Sequence, residues 1–208
     1  MIVILDYGLG NIGSIANMLK KIGVNDVIVS NDETVIQAAS HLIIPGVGAF
    51  DTGMNNIRRL GLEEIIWEHA VKNNKPTLGI CLGMQLLGLS SEEGKETGLG
   101  LIEFRNIKYR FSDEVDLKIP HMGWNYVNIM DKEDPLSRNL TDSERYYFVH
   151  SYYAHCESDS NILMKATYGF EFTAAVKHNN IYGVQFHPEK SHKYGMQLLS
   201  NFVREVRV

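Results

Sequence analysis

The residues best suited to chemistry in this 208-residue chain are Cys81 and the pair His187 and Glu189. Cys81 stands in Pro76-Thr77-Leu78-Gly79-Ile80-Cys81-Leu82-Gly83-Met84-Gln85, a strand-like run leading into a good helix start. Gly79 and Gly83 flank it as in a Gly-x-nucleophile-x-Gly elbow, a sharp strand-to-helix turn that holds the nucleophile strained and exposed. A Cβ at either glycine would clash across such a turn. A helix N-terminus lowers a thiol pKa, and its free N–H groups can hold an oxyanion. A structural cysteine at a strand end has the same local sequence, because Cys is among the most often buried residues. A base would separate the two readings.

That base needs an orienting group of its own. His187 follows the apolar run Ile181–Gln185 and precedes Pro188-Glu189. The proline fixes the backbone between His187 and Glu189, so the carboxylate can hold one imidazole nitrogen while the other faces the thiol. Alone, His-Pro-Glu is an ordinary surface turn; beside an elbow it reads as base and orienter. Pro45-Gly46-Val47-Gly48 closes another strand, and its glycines let a peptide aim either N–H or C=O at a neighbouring site. His121 and His150 read as members of aromatic, polar binding loops, and His41, His69, His155 and His178 as structural or exposed. No Cys, His and acid cluster has zinc-ligand spacing, so no metal and no cofactor are expected.

The elements that must position these groups follow from hydrophobic pattern. Strands are expected at Ile2–Asp6, Val27–Val29, Leu42–Ile44 and Thr77–Ile80, with helices from Asn11 to Ile22, from Asp32, from Asp51 to Lys72 with a break near Gly61, and after Cys81. This βαβα alternation predicts an α/β fold with a mostly parallel, doubly wound sheet carrying a nucleophile elbow. In such sheets sites lie beyond the carboxyl ends of the strands. The C-terminal half adds short strand-like runs at 102–110, 125–129, 146–150, 162–168, 173–178 and 181–185, expected to supply additional antiparallel strands, then a helix from about Lys193 to Val206. Residues 1–208 read as a single domain.

Gly8-Leu9-Gly10-Asn11-Ile12-Gly13 satisfies the G-x-G-x-x-G spacing, and Asp32 lies where a ribose-binding acid would. Asp6-Tyr7 separates the strand from the first glycine, which argues for plain turn residues over a dinucleotide site. A net charge of −5 argues against nucleic acid or an anionic membrane as the main partner. The first residues form a strand without a basic leader, and no apolar run has the length of a membrane span. The chain therefore reads as cytoplasmic, with Cys81 and Cys156 as thiols.

Taken together, Gly79-Ile80-Cys81-Leu82-Gly83-Met84-Gln85, Pro45-Gly46-Val47-Gly48 and Gly183-Val184-Gln185-Phe186-His187-Pro188-Glu189-Lys190-Ser191 resemble the class I, or triad, glutamine amidotransferases. More narrowly, Tyr7–Asn11, Pro120–Asn125 and Tyr147–Tyr152 are similar to the glutaminase subunits of imidazole glycerol phosphate synthases. The resemblance runs over nearly the whole chain, in motif order. It implies that Cys81, His187 and Glu189 form the triad, and that Leu82 and the Gly46-Val47-Gly48 peptides form an oxyanion hole. It further implies that Gln85, an acid of the pair Glu92 and Glu93, Ser151 and Tyr152 hold L-glutamine; distance from Cys81 selects Glu93. The implied partner is a (β/α)8-barrel cyclase subunit in a heterodimer, with Asn11, Trp124, Asn125 and Lys190 near it.

The loop Gly88–Lys95 departs from the family's more acidic, aromatic form. The tail Lys190–Met196 is similar to a paralogous branch that supplies ammonia to sugar-modifying amidotransferases. A free-standing cysteine hydrolase and a catalytically inert binding subunit are the remaining readings. The Trp124-Asn125 and His150–Tyr152 segments argue against the first, and the intact triad argues against the second.

Overall fold

The computed structural model describes residues 1–112 and 116–207. The N-terminal half alternates strand and helix: β1 (Ile2–Leu5), α1 (Ile12–Lys21), β2 (Val27–Ser30), α2 (Glu33–Ala38), β3 (His41–Ile44), α3 (Phe50–Arg59), α4 (Leu62–Trp67), β4 (Thr77–Ile80) and α5 (Leu82–Leu87). Gly61, in left-handed backbone at φ 67°, separates α3 from α4, where the sequence places the break. The later strands are β5 (Ser90–Ser91), β6 (Phe104–Lys108), β7 (His121–Tyr126), β8 (Asn128–Ile129), β9 (Arg145–His150), β10 (Tyr152–Cys156), β11 (Ile162–Tyr168), β12 (Phe170–His178) and β13 (Ile181–Val184). Helix α6 (His192–Arg204) closes the chain.

Among the described residues, one sheet runs in the order β2-β1-β3-β4-β13-β12-β10-β6-β5, with β11 and β8 branching from β12. From β2 to β13 neighbouring strands are parallel; β12, β10 and β6 then follow in antiparallel register. A separate ribbon pairs β7 with β9, Trp124 opposite Tyr147 and His121 opposite His150.

Strands β1, β3, β4 and β13 are buried throughout, as expected where helices cover both faces of a parallel sheet. Side chains alternate between those faces. Ile2 and Ile4 of β1 join Ile15 and Leu19 of α1 and Leu199 and Phe202 of α6. Val3 and Leu5 join Ile36 of α2, Phe50 and Met54 of α3 and Ile66 of α4. The two cores hold β3, β4 and β13 side by side, so the turns after these strands open at one edge.

Three expectations need correction. His121 and His150 do not sit in loops: they occupy β7 and β9, His150 closing the run expected at 146–150, and both are buried. Strand β7 begins at His121, four residues before the expected run, because its period-2 burial starts there. Strand β10 has no counterpart in the pattern, since Tyr152-Tyr153-Ala154-His155-Cys156 does not alternate apolar with polar.

Candidate active site

Cys81 joins β4 to α5 with φ 54° and ψ −108°, a strained conformation for a non-glycine residue. The flanking glycines have the expected reason. A Cβ at Gly79 would lie 2.6 Å from the Gly83 carbonyl oxygen, and one at Gly83 only 1.9 Å from the Ile44 carbonyl oxygen. The elbow is tied to β13 by Cys81 N–H donating to Val184 O at 2.8 Å. Because α5 starts at Leu82, the Leu82 N–H has no intrahelical acceptor.

Chain entry after β3 is equally tight. A Cβ on Gly46 would lie 2.5 Å from Gly83 N and 2.9 Å from the Tyr7 hydroxyl. Tyr7 is fully buried and its hydroxyl donates to Pro45 O at 2.5 Å. Gly10 closes on the same turn, where a Cβ would meet Pro45 Cβ at 2.7 Å. These contacts explain Gly10 as a packing residue of the Pro45–Gly48 turn, whereas a Cβ on Gly13 would meet nothing within 4 Å. Asp32 is likewise occupied: its carboxylate accepts from Val35 N as the cap of α2.

His187 follows β13 and is held by its main chain. Its N–H donates to Tyr147 O at 2.8 Å, and its carbonyl accepts from the Ser191 hydroxyl at 2.6 Å. Its Nδ1 pairs with Glu189 Oε1 at 2.8 Å, both side chains being buried. Burial pulls the His187 pKa down, but the nearby Cys81 and Glu189 outweigh it and raise the pKa to about 9. For Glu189 burial pushes upward, and the His187 hydrogen bond outweighs it and holds the carboxyl below its ordinary value. His187 Nε2 is buried without a hydrogen-bond partner. The Cys81 sulfur lies 3.9 Å from Val149 O and 3.8 Å from Gln185 Nε2.

A pocket of about 280 Å³ opens over this arrangement. Val47, Gly48, Cys81, Leu82, Gln85, Glu93, Ser151, Tyr152 and His187 all line it, together with Pro120, Val149 and His150. Gly46 lies behind this lining, against the elbow. Glu93 accepts from Phe50 N at 2.8 Å, at the N-terminus of α3. Its loop is lashed to the same helix by Asp51, which accepts from Lys95 N and Glu96 N at 3.0 Å, and by Arg58, which donates to Thr97 O at 2.8 Å.

Of the residues expected near a partner, Asn11 reaches inward: its Nδ2 donates to Glu189 Oε1 at 3.3 Å. Trp124 is 43% exposed on the β7–β9 ribbon, flanked on the same strand by Met122 (61%) and Tyr126 (57%). Asn125 donates to Thr167 O at 2.8 Å. Lys190 lies over the Tyr147 ring, 5.7 Å from its centroid. Sequence reasoning missed Gln185, a buried amide beside Cys81, and the contact between His121 and His150.

The class-I glutamine amidotransferase family model matches residues 3–206. The chain belongs to that family. Among curated relatives, this amidotransferase is 55% identical over 205 residues to imidazole glycerol phosphate synthase subunit HisH 2 of Methanococcus maripaludis, covering 99% of this chain and all of the relative. It is 48% identical to the protein of the same name from Pseudomonas aeruginosa, again over 99% and 100% of the two chains. A solved glutamine amidotransferase superposes with TM-score 0.76 at 16% identity over 99% of both chains. The PurLQS structure from Thermotoga maritima gives 0.72 at 16% identity over 97% of this chain and 96% of that one. These distant structures share the fold: a mostly parallel sheet extended by antiparallel strands. Among the described residues no three or more His, Cys, Asp or Glu side chains gather as metal ligands, and no helix is long and apolar enough to cross a membrane.

Proposed function

We propose that this amidotransferase is the glutaminase subunit of an imidazole glycerol phosphate synthase, releasing ammonia from L-glutamine for a cyclase subunit in histidine biosynthesis. The observation that carries the reading is the full-length identity of 55% to a relative of that name. The pocket chemistry agrees with it. Cys81 sulfur attacks the glutamine carboxamide as its proton passes to His187. His187 returns that proton to the departing nitrogen, and ammonia leaves a γ-glutamyl thioester. Water, deprotonated by His187, then attacks the thioester carbonyl; glutamate departs and the thiol is restored.

Glu189 holds the His187 tautomer and stabilises the imidazolium. Leu82 N–H and a peptide N–H within Gly46–Gly48 take the oxyanion of both tetrahedral intermediates. Gln85, Glu93, Ser151 and Tyr152 hold the amino-acid head of glutamine, with Glu93 facing its ammonium.

The partner is a (β/α)8 cyclase in a heterodimer, and the exposed ribbon around Trp124 with Asn11, Asn125 and Lys190 is its docking face. Ammonia passes through the barrel to the acceptor. One glutamine amidotransferase domain over residues 1–208 accounts for the chain, and the continuity of the sheet from β2 to β5 supports this.

A second acceptor is favoured by one observation. His192, in the tail that is similar to the sugar-modifying branch, has φ 49° and stacks parallel on Trp124 with ring centroids 5.6 Å apart. The tail thereby shapes the proposed docking face. Glutamine-dependent turnover with a histidine-pathway cyclase and its acceptor tests the first reading; activity only with a cyclase-like partner of a sugar amidotransferase selects the second.

A further inference from the structure

We infer that Gln185 is a catalytic hydrogen-bond donor to the Cys81 sulfur, held with its N–H toward the thiolate by an amide relay anchored on the Tyr152 carbonyl. The inference rests on Cys81 being the nucleophile of the proposed glutaminase.

Gln185 is fully buried immediately after β13, with its main chain fixed by N–H donation to Ala174 O at 2.9 Å. Its Nε2 lies 3.8 Å from Cys81 Sγ, and its Oε1 accepts from Gln85 Nε2 at 3.1 Å. The direction of the relay is dictated by chemistry. A main-chain carbonyl can only accept, and Tyr152 O lies 3.4 Å from the Gln85 amide, so the atom facing it is Nε2. That nitrogen also faces Gln185, which must answer with its oxygen. The Gln185 nitrogen is then left toward the sulfur. Flipping either amide would set two donors or two acceptors against each other in a buried site, where each mismatch is costly.

A buried neutral donor favours the thiolate over the thiol and over the thioester, whose sulfur is uncharged. It therefore acts twice. Before attack it raises the thiolate fraction as the proton moves to His187. During thioester hydrolysis it stabilises the sulfur that leaves with the bonding pair when the second tetrahedral intermediate collapses. Gln85 has a role beyond lining the pocket, since it sets the orientation of this donor.

The test uses the full chain with its cyclase partner and two readouts. One is the rate at which iodoacetamide, which needs no glutamine site, alkylates Cys81 at neutral pH. The other is steady-state glutaminase kinetics. Gln185→Met, which fills the space without a donor, should slow alkylation about tenfold or more and lower kcat similarly, with KM changed less than about threefold. Unchanged alkylation in the folded variant overturns the inference. If Gln185→Met does not fold, Gln185→Glu is read the same way, its carboxylate giving slower alkylation. If neither folds, the side-chain amide resonances of Gln185 in the wild-type chain decide: they move on alkylation of Cys81 if the contact exists, and their constancy overturns it. Wild-type protein that alkylates normally but releases no glutamate would refute the glutaminase reading and leave the Gln185 result standing.

Discussion

Asn11 Nδ2 donates to Glu189 Oε1 across 3.3 Å, and the same carboxylate oxygen pairs with His187 Nδ1 at 2.8 Å. The residue at the N-terminus of α1 thus touches the proposed orienting carboxylate, 178 positions away in the chain. The turn carrying Asn11 also packs on Pro45 through Gly10. One short segment therefore braces both the orienting carboxylate and the proposed oxyanion turn.

The proposed triad should show a graded response. In the proposed mechanism His187 moves the proton in both half-reactions, so His187→Asn should lower kcat by about 100-fold or more. Glu189→Gln, which changes only the orienter, should cost less, and Asn11→Ala, one bond further out, about tenfold at most. Glutamate release under saturating glutamine, in the complex, gives the order; a Glu189→Gln variant weaker than His187→Asn would reverse the assigned roles.

The elbow leaves no room at Gly83. A methyl there would meet the Ile44 carbonyl oxygen at 1.9 Å, and main chain cannot yield as a flexible side chain can. Gly83→Ala should destabilise the chain by about 3 kcal/mol or more, read from the midpoint of denaturant unfolding. Gly13→Ala is the control, since a Cβ there meets nothing within 4 Å and should be neutral or stabilising.

Acid should expose the buried histidines of the ribbon. His150 Nδ1 donates to Tyr152 O at 2.8 Å, so its Nε2 must accept from His121 Nδ1 at 3.0 Å. Burial lowers the pKa of His150 to about 3 and that of His121 to about 4. A histidine depressed in the folded state contributes stability above its unfolded pKa, near 6.5, and loses it as pH falls toward the folded value. Unfolding midpoints should therefore drop between pH 6.5 and 4, and His121→Phe should flatten that slope. An unaltered slope would show that these rings do not set the acid limit.

His187 works in the opposite sense. Its folded pKa of about 9 lies above the unfolded value, so its contribution is complete below pH 6.5 and is lost as pH rises through 9. Cys81→Ala removes one of the two groups holding that proton. It should flatten the alkaline loss of stability while leaving the fold and partner binding intact, measured by thermal unfolding from pH 7 to 10.

The parts legible in the sequence were those with a strong local signal. Continuous apolar runs gave β1, β3 and β4, and paired glycines around Cys81 gave the elbow, because only a close backbone approach demands them. The pairing of His187 with Glu189 is legible because Pro188 fixes the relation between them. Gln185 is not, since a polar residue at a strand end leaves no periodic mark and its partners Gln85 and Tyr152 meet it only in space. His121 reads as a loop residue because its neighbours mix aromatic and polar types, and the strand run ending at His150 gives no sign that the two rings meet. In the sequence Asn11 reads only as a helix start and a residue near the partner; its bond to Glu189 depends on how α1 lies against the turn after β13.

The most direct measurement is steady-state glutamine hydrolysis by the isolated chain, by its complex with the cyclase subunit, and by the complex holding an acceptor analogue, each beside Cys81→Ala. With His187 Nε2 unpartnered and two glycines free to turn a peptide toward the oxyanion, partner binding should act on the chemical step. The turnover number should rise by about 100-fold or more, the worth of one oxyanion donor, with a much smaller change in KM and no activity in Cys81→Ala. Full turnover in the isolated chain, activation confined to KM, or glutamate release that survives Cys81→Ala would contradict the account.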